Sequence, residues 1–303
     1  MNSKFLIVLV GPTAAGKTAL SIELAKKFNT EILSADSRQV FKEISIGTAK
    51  PTADEMQGIP HHFIGSHSIN ENFNAGKFEQ EAISLITSLF KKHNVLIMVG
   101  GSGLYIDAVC KGFDELPETD EDTRKKLNET FKTQGLEALQ KLLKKYDPDY
   151  YEKVDLKNPH RIIRALEVST ASGKPYSSFR KSSPDKRNFK IIKIGLDMDR
   201  DLLYKKIDSR VEEMMKKGFL DEVKKILPYT LSPIPNSLNT VGYKELIGHL
   251  KGEYNLKEAI DLIKKNTRNF AKRQLTWFRK DKEIKWFGPE QEKEIIRYII
   301  EII

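Results

Sequence analysis

A chain of 303 residues with 39% apolar content can bury one large core and carry a second lobe. Its formal net charge of +9 favours a polyanionic partner, because neutralised phosphates release their counterions, although a lysine-rich surface gives the same balance with no partner at all. Cys110 is the only cysteine, which excludes an intrachain disulfide, a thiolate zinc cluster or a redox pair, and no apolar run reaches the about 20 residues that span a bilayer, so a soluble cytoplasmic protein is expected.

Lys4–Val10 is short, apolar and β-branched, and it runs straight into a glycine-rich loop containing Lys17; this marks a buried strand and not a signal peptide. Ala19–Phe28 follows with helical spacing through Leu20, Leu24 and Phe28. Glu31–Ala35 is a second strand candidate, ended by Asp36; Phe78–Lys92 has a helical pattern; Val95–Val99 is a third strand, ended by Gly100-Gly101. This order predicts an α/β fold, a P-loop parallel sheet flanked by helices, with ligands at the carboxyl ends of its strands. Gly11, Asp36 and Gly100 all fall at such ends.

From Asp114 to Arg187 the pattern turns to charged helical segments with Leu127, Leu136, Leu139, Leu142 and Leu143 as apolar positions and no strand candidate. The expected division is a core of residues 1–113 and 188–303 with an inserted all-helical lobe at 114–187. Beyond it, Phe189–Leu196 reads as a returning strand, Leu202–Leu227 as one helix, Pro228–Asn239 as an exposed loop, Leu256–Arg279 as a long basic helix and Ile284–Phe287 as a last strand.

Gly11-Pro12-Thr13-Ala14-Ala15-Gly16-Lys17-Thr18 matches G-x-x-x-x-G-K-[ST] and sits where that motif belongs, after a buried strand and at a helix start. The backbone of such a loop turns its N–H groups toward phosphate oxygens, Lys17 adds a point charge and Thr18 can hold Mg²⁺. A diphosphate or triphosphate ester is the implied ligand, and ATP is not singled out. The strand at Val95–Val99 lacks the terminal carboxylate that an NTPase normally places there. Asp36 lies where a small-molecule or nucleoside kinase can hold its base, so a P-loop kinase stays open, as does a nucleotide-gated RNA-binding protein without chemistry. Asp36-Ser37-Arg38-Gln39 itself has two readings, a general base beside the phosphate loop or a capping box.

Lys264, Lys265, Arg268, Lys272, Arg273, Arg279 and Lys280 concentrate on one helix and its exit together with Trp277 and Phe278, a pattern that suits RNA or, equally in kind, a solvated face with aromatics in the core. His61-His62 lacks a standard metal-ligand spacing and is expected to be structural or to shape a cleft.

Taken together, Gly11–Thr18, Ser34–Val40, Gly47-Thr48-Ala49-Lys50-Pro51, Gly100–Tyr105, Asn158–Val168 and Thr267–Arg279 resemble the bacterial tRNA dimethylallyltransferases over nearly the whole chain. The resemblance implies transfer of the dimethylallyl group of dimethylallyl diphosphate to N6 of adenosine 37 in tRNAs that read codons beginning with U, with the phosphate loop holding the leaving diphosphate and Mg²⁺ as cofactor. It implies Asp36 as the general base, Ser37, Arg38 and Gln39 as tRNA contacts, and Arg210 as a catalytic ligand of the diphosphate. Ser102 stands where the family usually has threonine and would keep its hydroxyl near the reacting centre and the tRNA. Further tRNA contacts are implied at Arg124, at His160, Arg161, Ile162, Ile163 and Arg164, where His160 replaces the usual glutamine, and at Arg268, Lys272 and Arg273. The implied partners are the tRNA anticodon stem-loop and the donor, with the chain acting as a monomer and needing no other protein. The lobe and the basic helix argue against the relatives that prenylate free adenine nucleotides.

Overall fold

Six residues of unbroken apolar character, Phe5–Val10 (β1), are buried at every position and form the middle of a sheet; a strand covered on both faces shows no polar alternation. The computed structural model describes residues 3–114, 116–180, 186–230 and 235–303. After β1 come Lys17–Phe28 (α1), Ile32–Ser34 (β2), Ala53–Met56 (α2), His61–His62 (β3), Ala75–Leu89 (α3), Val95–Gly100 (β4) and Gly103–Lys111 (α4). Then follow Glu121–Tyr146 (α5), Pro148–Tyr151 (α6), Pro159–Ser172 (α7), Lys190–Leu196 (β5), Arg200–Lys216 (α8), Phe219–Ile226 (α9), Tyr243–Leu250 (α10), Leu256–Phe278 (α11), Lys285–Phe287 (β6) and Glu292–Ile302 (α12).

The strands form one six-stranded sheet in the order β3-β2-β4-β1-β5-β6, and every pairing is parallel. The register pairs Val10 with Gly100 on one side and with Gly195 on the other, so β1 and β4 end level and β5 runs one residue further. Helices then cover a core that includes Phe5, Ile7, Leu9, Leu24, Ile97, Ile194, Ile295 and Ile299. Each such buried side chain contributes about 1.5–3 kcal/mol relative to exposure.

Two compact units divide the chain, residues 1–111 with 186–303, and residues 112–185. The first holds the sheet. The second is helical: α5, α6 and α7 enclose Leu127, Leu139, Leu143, Tyr150, Ile162, Ile163 and Leu166, and α5 is bent at Gly135, which stands at φ 78°. Asn158 caps α7 through Arg161 N–H (3.3 Å) with Pro159 in the first turn, so the cap at this helix is Asn158 and His160 is an exposed first-turn residue.

Two expectations are corrected, and a third is given its place. The helix expected over Leu202–Leu227 is two helices, because Gly218 takes φ 92° and starts α9 afresh, turning its strongly amphipathic face with Phe219, Val223 and Ile226 inward. The loop expected to be exposed over Pro228–Asn239 buries Ser237 and Leu238, and Ser237 Oγ donates to Ile69 O at 2.9 Å; residues 231–234 lie outside the described residues. The pair His61-His62 forms the edge strand β3, with His62 Nε2 2.7 Å from the Glu31 carboxylate and His61 Nδ1 2.8 Å from Ile59 O. Among the described residues no group of three or more His, Cys, Asp or Glu side chains could hold a metal ion, and no helix is long and apolar enough to cross a membrane.

Candidate active site

Past Val10 the chain turns into a loop in which Ala14 (φ 67°) and Gly16 (φ 89°) both take the left-handed region, and Gly16 opens α1 with no side-chain cap. The free N–H groups of the first turn of α1, the helix dipole and the curled backbone make an anion-binding concavity. Lys17 Nζ donates to Gly11 O (3.0 Å) and Pro12 O (2.7 Å), which folds the ammonium over the loop. Burial and then the nearby Arg210 guanidinium lower its pKa to about 8, partly opposed by the Asp36 carboxylate. Arg210, on α8, lies 3.4 Å from Thr13 Oγ1, and burial holds its pKa below the usual arginine value. Thr18 is exposed in the first turn of α1.

The second half of the site comes from the ends of β2 and β4. Gly100 is required where these meet, since a Cβ there would come within 2.2 Å of Ala35 O. Ser102 N–H donates to that same Ala35 O (3.3 Å), Ser102 Oγ accepts from Ser37 N–H (2.9 Å) and donates to Ser37 Oγ (3.1 Å). Ser102 is thereby a strut between the two loops. Asp36 Oδ1 accepts from Arg38 N–H (2.8 Å) and Gln39 N–H (3.2 Å), and Oδ2 makes no hydrogen bond among the described residues. One oxygen of Asp36 thus organises a turn, and the other is open. No helix starts here, and the Gln39 amide does not return to Asp36 but donates to Thr48 O (3.2 Å) and Ala49 O (3.0 Å). Arg38 Nη1 donates to Asn236 O (3.0 Å), and Tyr105, whose pKa is raised to about 12 by burial, faces Arg38 and Asp36.

Two residues of this site carry no local sequence signal. Glu222 accepts from three consecutive backbone N–H groups, Ser45 (2.9 Å), Ile46 (2.8 Å) and Gly47 (3.1 Å), and so anchors the Gly47–Pro51 motif that in turn holds Gln39. Gln274, buried on α11, bonds Thr13 N–H and Gly101 O, each at 2.9 Å. Their partners lie far away in the chain, which is why no spacing reveals them.

On α11, Lys264 pairs with Glu212 (2.7 Å) and Arg268 makes a bidentate pair with Asp208 (2.8 and 2.7 Å), and Arg279, just past its end, pairs with Asp197 (2.5 Å). Arg268 thus fastens α11 to α8, whereas Lys265, Lys272, Arg273 and Lys280 are exposed and form no ion pair among the described residues. Phe278 is core; Trp277 is 39% exposed, donates Nε1–H to Asp107 (2.8 Å) and lies on Gly103, where a Cβ would sit 2.4 Å from its ring.

In the helical unit, Arg124 and Arg164 both reach the buried Glu167 carboxylate at 3.3 Å, and His160 and Arg161 are exposed. Ile162 and Ile163 depart from expectation. Their side chains are 0% and 3% exposed, packed with Leu139 and Leu143, so they hold α7 in place and offer no surface to RNA.

A loop of phosphate-binding pattern at the end of β1, a carboxylate with an open oxygen at the end of β2 and a hydroxyl after β4 define an α/β protein of the P-loop class, with these groups at the carboxyl ends of a parallel sheet. The sequence model of the IPP transferase family matches residues 39–281, and the chain belongs to that family. It is 51% identical over 297 residues to the tRNA dimethylallyltransferase of Cytophaga hutchinsonii, covering 98% of this chain and 97% of that one. It is 49% identical over 294 residues to tRNA dimethylallyltransferase 1 of Bacteroides thetaiotaomicron, covering 97% and 94%. Among solved structures, the tRNA isopentenylpyrophosphate transferase of Bacillus halodurans superposes with a TM-score of 0.73 at 38% identity, covering 98% and 96%. A eukaryotic dimethylallyltransferase acting on tRNA superposes with a TM-score of 0.80 at 29% identity, covering 95% of this chain and 74% of that one.

Proposed function

We propose that this enzyme is a tRNA dimethylallyltransferase that moves the dimethylallyl group of dimethylallyl diphosphate to N6 of adenosine 37 in tRNAs reading codons that begin with U. The observation that carries the reading is the open Oδ2 of Asp36 one strand away from β4 and two from β1, at the same sheet edge as the phosphate loop.

In the reaction the N6 lone pair forms a bond to the allylic C1, and the C1–O bond to diphosphate breaks. The electron pair leaves with diphosphate, and the N6 proton passes to Asp36. Lys17, Arg210 and the N–H groups opening α1 receive the charge that develops on the leaving group. An amine conjugated to a purine is a weak nucleophile, so alignment supplies much of the rate. The adenine leaves its stack to reach the site, at a cost of about a few kcal/mol, less in a loop than in a duplex.

The donor set suits Mg²⁺ in one respect: Thr18, exposed in the first turn of α1, offers a hydroxyl beside the anion site. Mg²⁺ bound there would take its other ligands from diphosphate and water and would neutralise charge on the leaving group. Ser37, Arg38, Arg124, His160, Arg161, Arg164, Lys272 and Arg273 are the proposed tRNA-facing residues. The expected setting is the cytoplasm, and the expected state a monomer.

The test incubates the protein with Mg²⁺, radiolabelled dimethylallyl diphosphate and unmodified tRNA. Label in RNA that disappears when adenosine 37 is replaced supports the reading. Absence of label together with ATP consumption on a small acceptor replaces it with a kinase.

A further inference from the structure

The backbone ladder between β1 and β4 ends with Val10 and Gly100. Beyond that rung, the loop after β1 carries the phosphate site and the loop after β4 carries Ser102, and no strand pairing holds them together. One side chain takes over. Gln274, 5% exposed, accepts from Thr13 N–H through Oε1 and donates to Gly101 O through Nε2, each at 2.9 Å. The fit is close, since a Cβ on Gly101 would lie 2.2 Å from Nε2.

A primary amide is suited to this place because it presents one acceptor and one donor at a fixed separation without charge. A carboxylate would meet the Gly101 carbonyl with a second acceptor, and an apolar chain would leave the buried Gly101 carbonyl and the partly buried Thr13 N–H without this partner. Trp277, one turn further along α11, is seated on Gly103 and bonded to Asp107, so the helix that carries Gln274 is itself held against the start of α4.

We propose that Gln274 is a positioning residue of the transfer reaction: it acts as a side-chain rung that sets the distance between the phosphate loop and the Ser102 loop, and it touches neither substrate. The proposal rests on the assignment of residues 11–18 to the diphosphate and of Asp36 and Ser102 to the acceptor side. A misplacement of about 1 Å between reacting groups lowers rates by about 100-fold, so loosening this rung acts on turnover and not on binding.

The experiment compares wild type, Gln274→Glu, Gln274→Met and Lys17→Met, measuring single-turnover rate at saturation together with separate dissociation constants for dimethylallyl diphosphate and unmodified tRNA. In both Gln274 variants the rate is expected to fall by about tenfold or more while both dissociation constants stay within about threefold. In Lys17→Met donor binding is expected to be lost. Should Gln274→Glu fail to fold, Gln274→Met provides the same comparison, because it keeps the volume and removes both bonds. Wild-type rates in a folded Gln274 variant, or a lowered thermal midpoint with unchanged rate, overturn the proposal alone. Unchanged donor binding in Lys17→Met overturns the diphosphate assignment and the proposal with it.

Discussion

Tyr243 Oη donates a 2.6 Å hydrogen bond to Oε1 of Glu222, the carboxylate that also gathers the N–H groups of Ser45, Ile46 and Gly47. Tyr243 is fully buried, and burial followed by the neighbouring carboxylate drives its pKa far upward, so the phenol is a permanent donor. A residue at the start of α10 thereby steadies the segment whose Thr48 and Ala49 carbonyls bind Gln39, three residues from Asp36.

Removing the two members of this pair should have unequal effects. Tyr243→Phe loses one hydrogen bond to a charged acceptor, worth about 1.5–3 kcal/mol. Glu222→Ala leaves three N–H groups and a buried phenol without their acceptor, and should destabilise by about 3 kcal/mol or more. Urea denaturation of both variants checks the order; a larger loss in Tyr243→Phe would show that the carboxylate is not the anchor.

The depressed Lys17 pKa of about 8 predicts proton uptake on donor binding. In the free protein Lys17 is about half neutral at that pH, and a bound diphosphate favours the ammonium, so donor affinity should fall as pH rises above about 8. For folding the sign is opposite. The unfolded chain, with its ordinary lysine, holds more protons between about 8 and 10.5, so this group makes the fold more stable as pH rises through that window. Calorimetry at a pH of about 8.5 in buffers of different ionisation enthalpy reads the uptake, and Lys17→Arg, whose side chain stays charged throughout this range, should bind the donor without it.

Asp36→Asn keeps an acceptor for Arg38 and Gln39 N–H but removes the base, whereas Asp36→Ala also releases the turn. Both are expected to lose turnover by about 10²–10⁴-fold with donor binding retained. Full turnover in Asp36→Asn would remove the carboxylate from proton transfer.

Of the cations on α11, the exposed Lys272 and Arg273 should act on RNA and the paired Arg268 on stability. Lys272→Ala and Arg273→Ala should each make the salt dependence of tRNA binding shallower, by about 0.7 in log K against log salt for every phosphate that is no longer neutralised. Arg268→Ala should lower the unfolding midpoint and leave that slope intact, which salt titrations and thermal melts together decide.

Much of the site was legible because it is local. The run from Phe5 to Phe28 contains strand, loop and helix start within one contiguous stretch, and its chemistry follows from backbone geometry that neighbouring residues impose. The placement of Asp36 at a strand end followed from the same alternation of short apolar runs and helices, although β2 is trimmed to Ile32–Ser34. The resemblance added roles to residues such as Ser102 and Arg210 that no local pattern would single out.

What the sequence by itself determined was therefore the parallel α/β plan and the phosphate loop, since hydrophobic period and glycine spacing are properties of adjacent residues. Only the tertiary structure decided that Ile162 and Ile163 are core, that Arg268 is tied to Asp208, and that Glu222 and Gln274 brace the two halves of the site. The reason is physical: a polar side chain shows its partner only when folding brings together groups as far apart in the chain as Thr13 and Gln274, 261 positions, and no periodicity encodes that meeting.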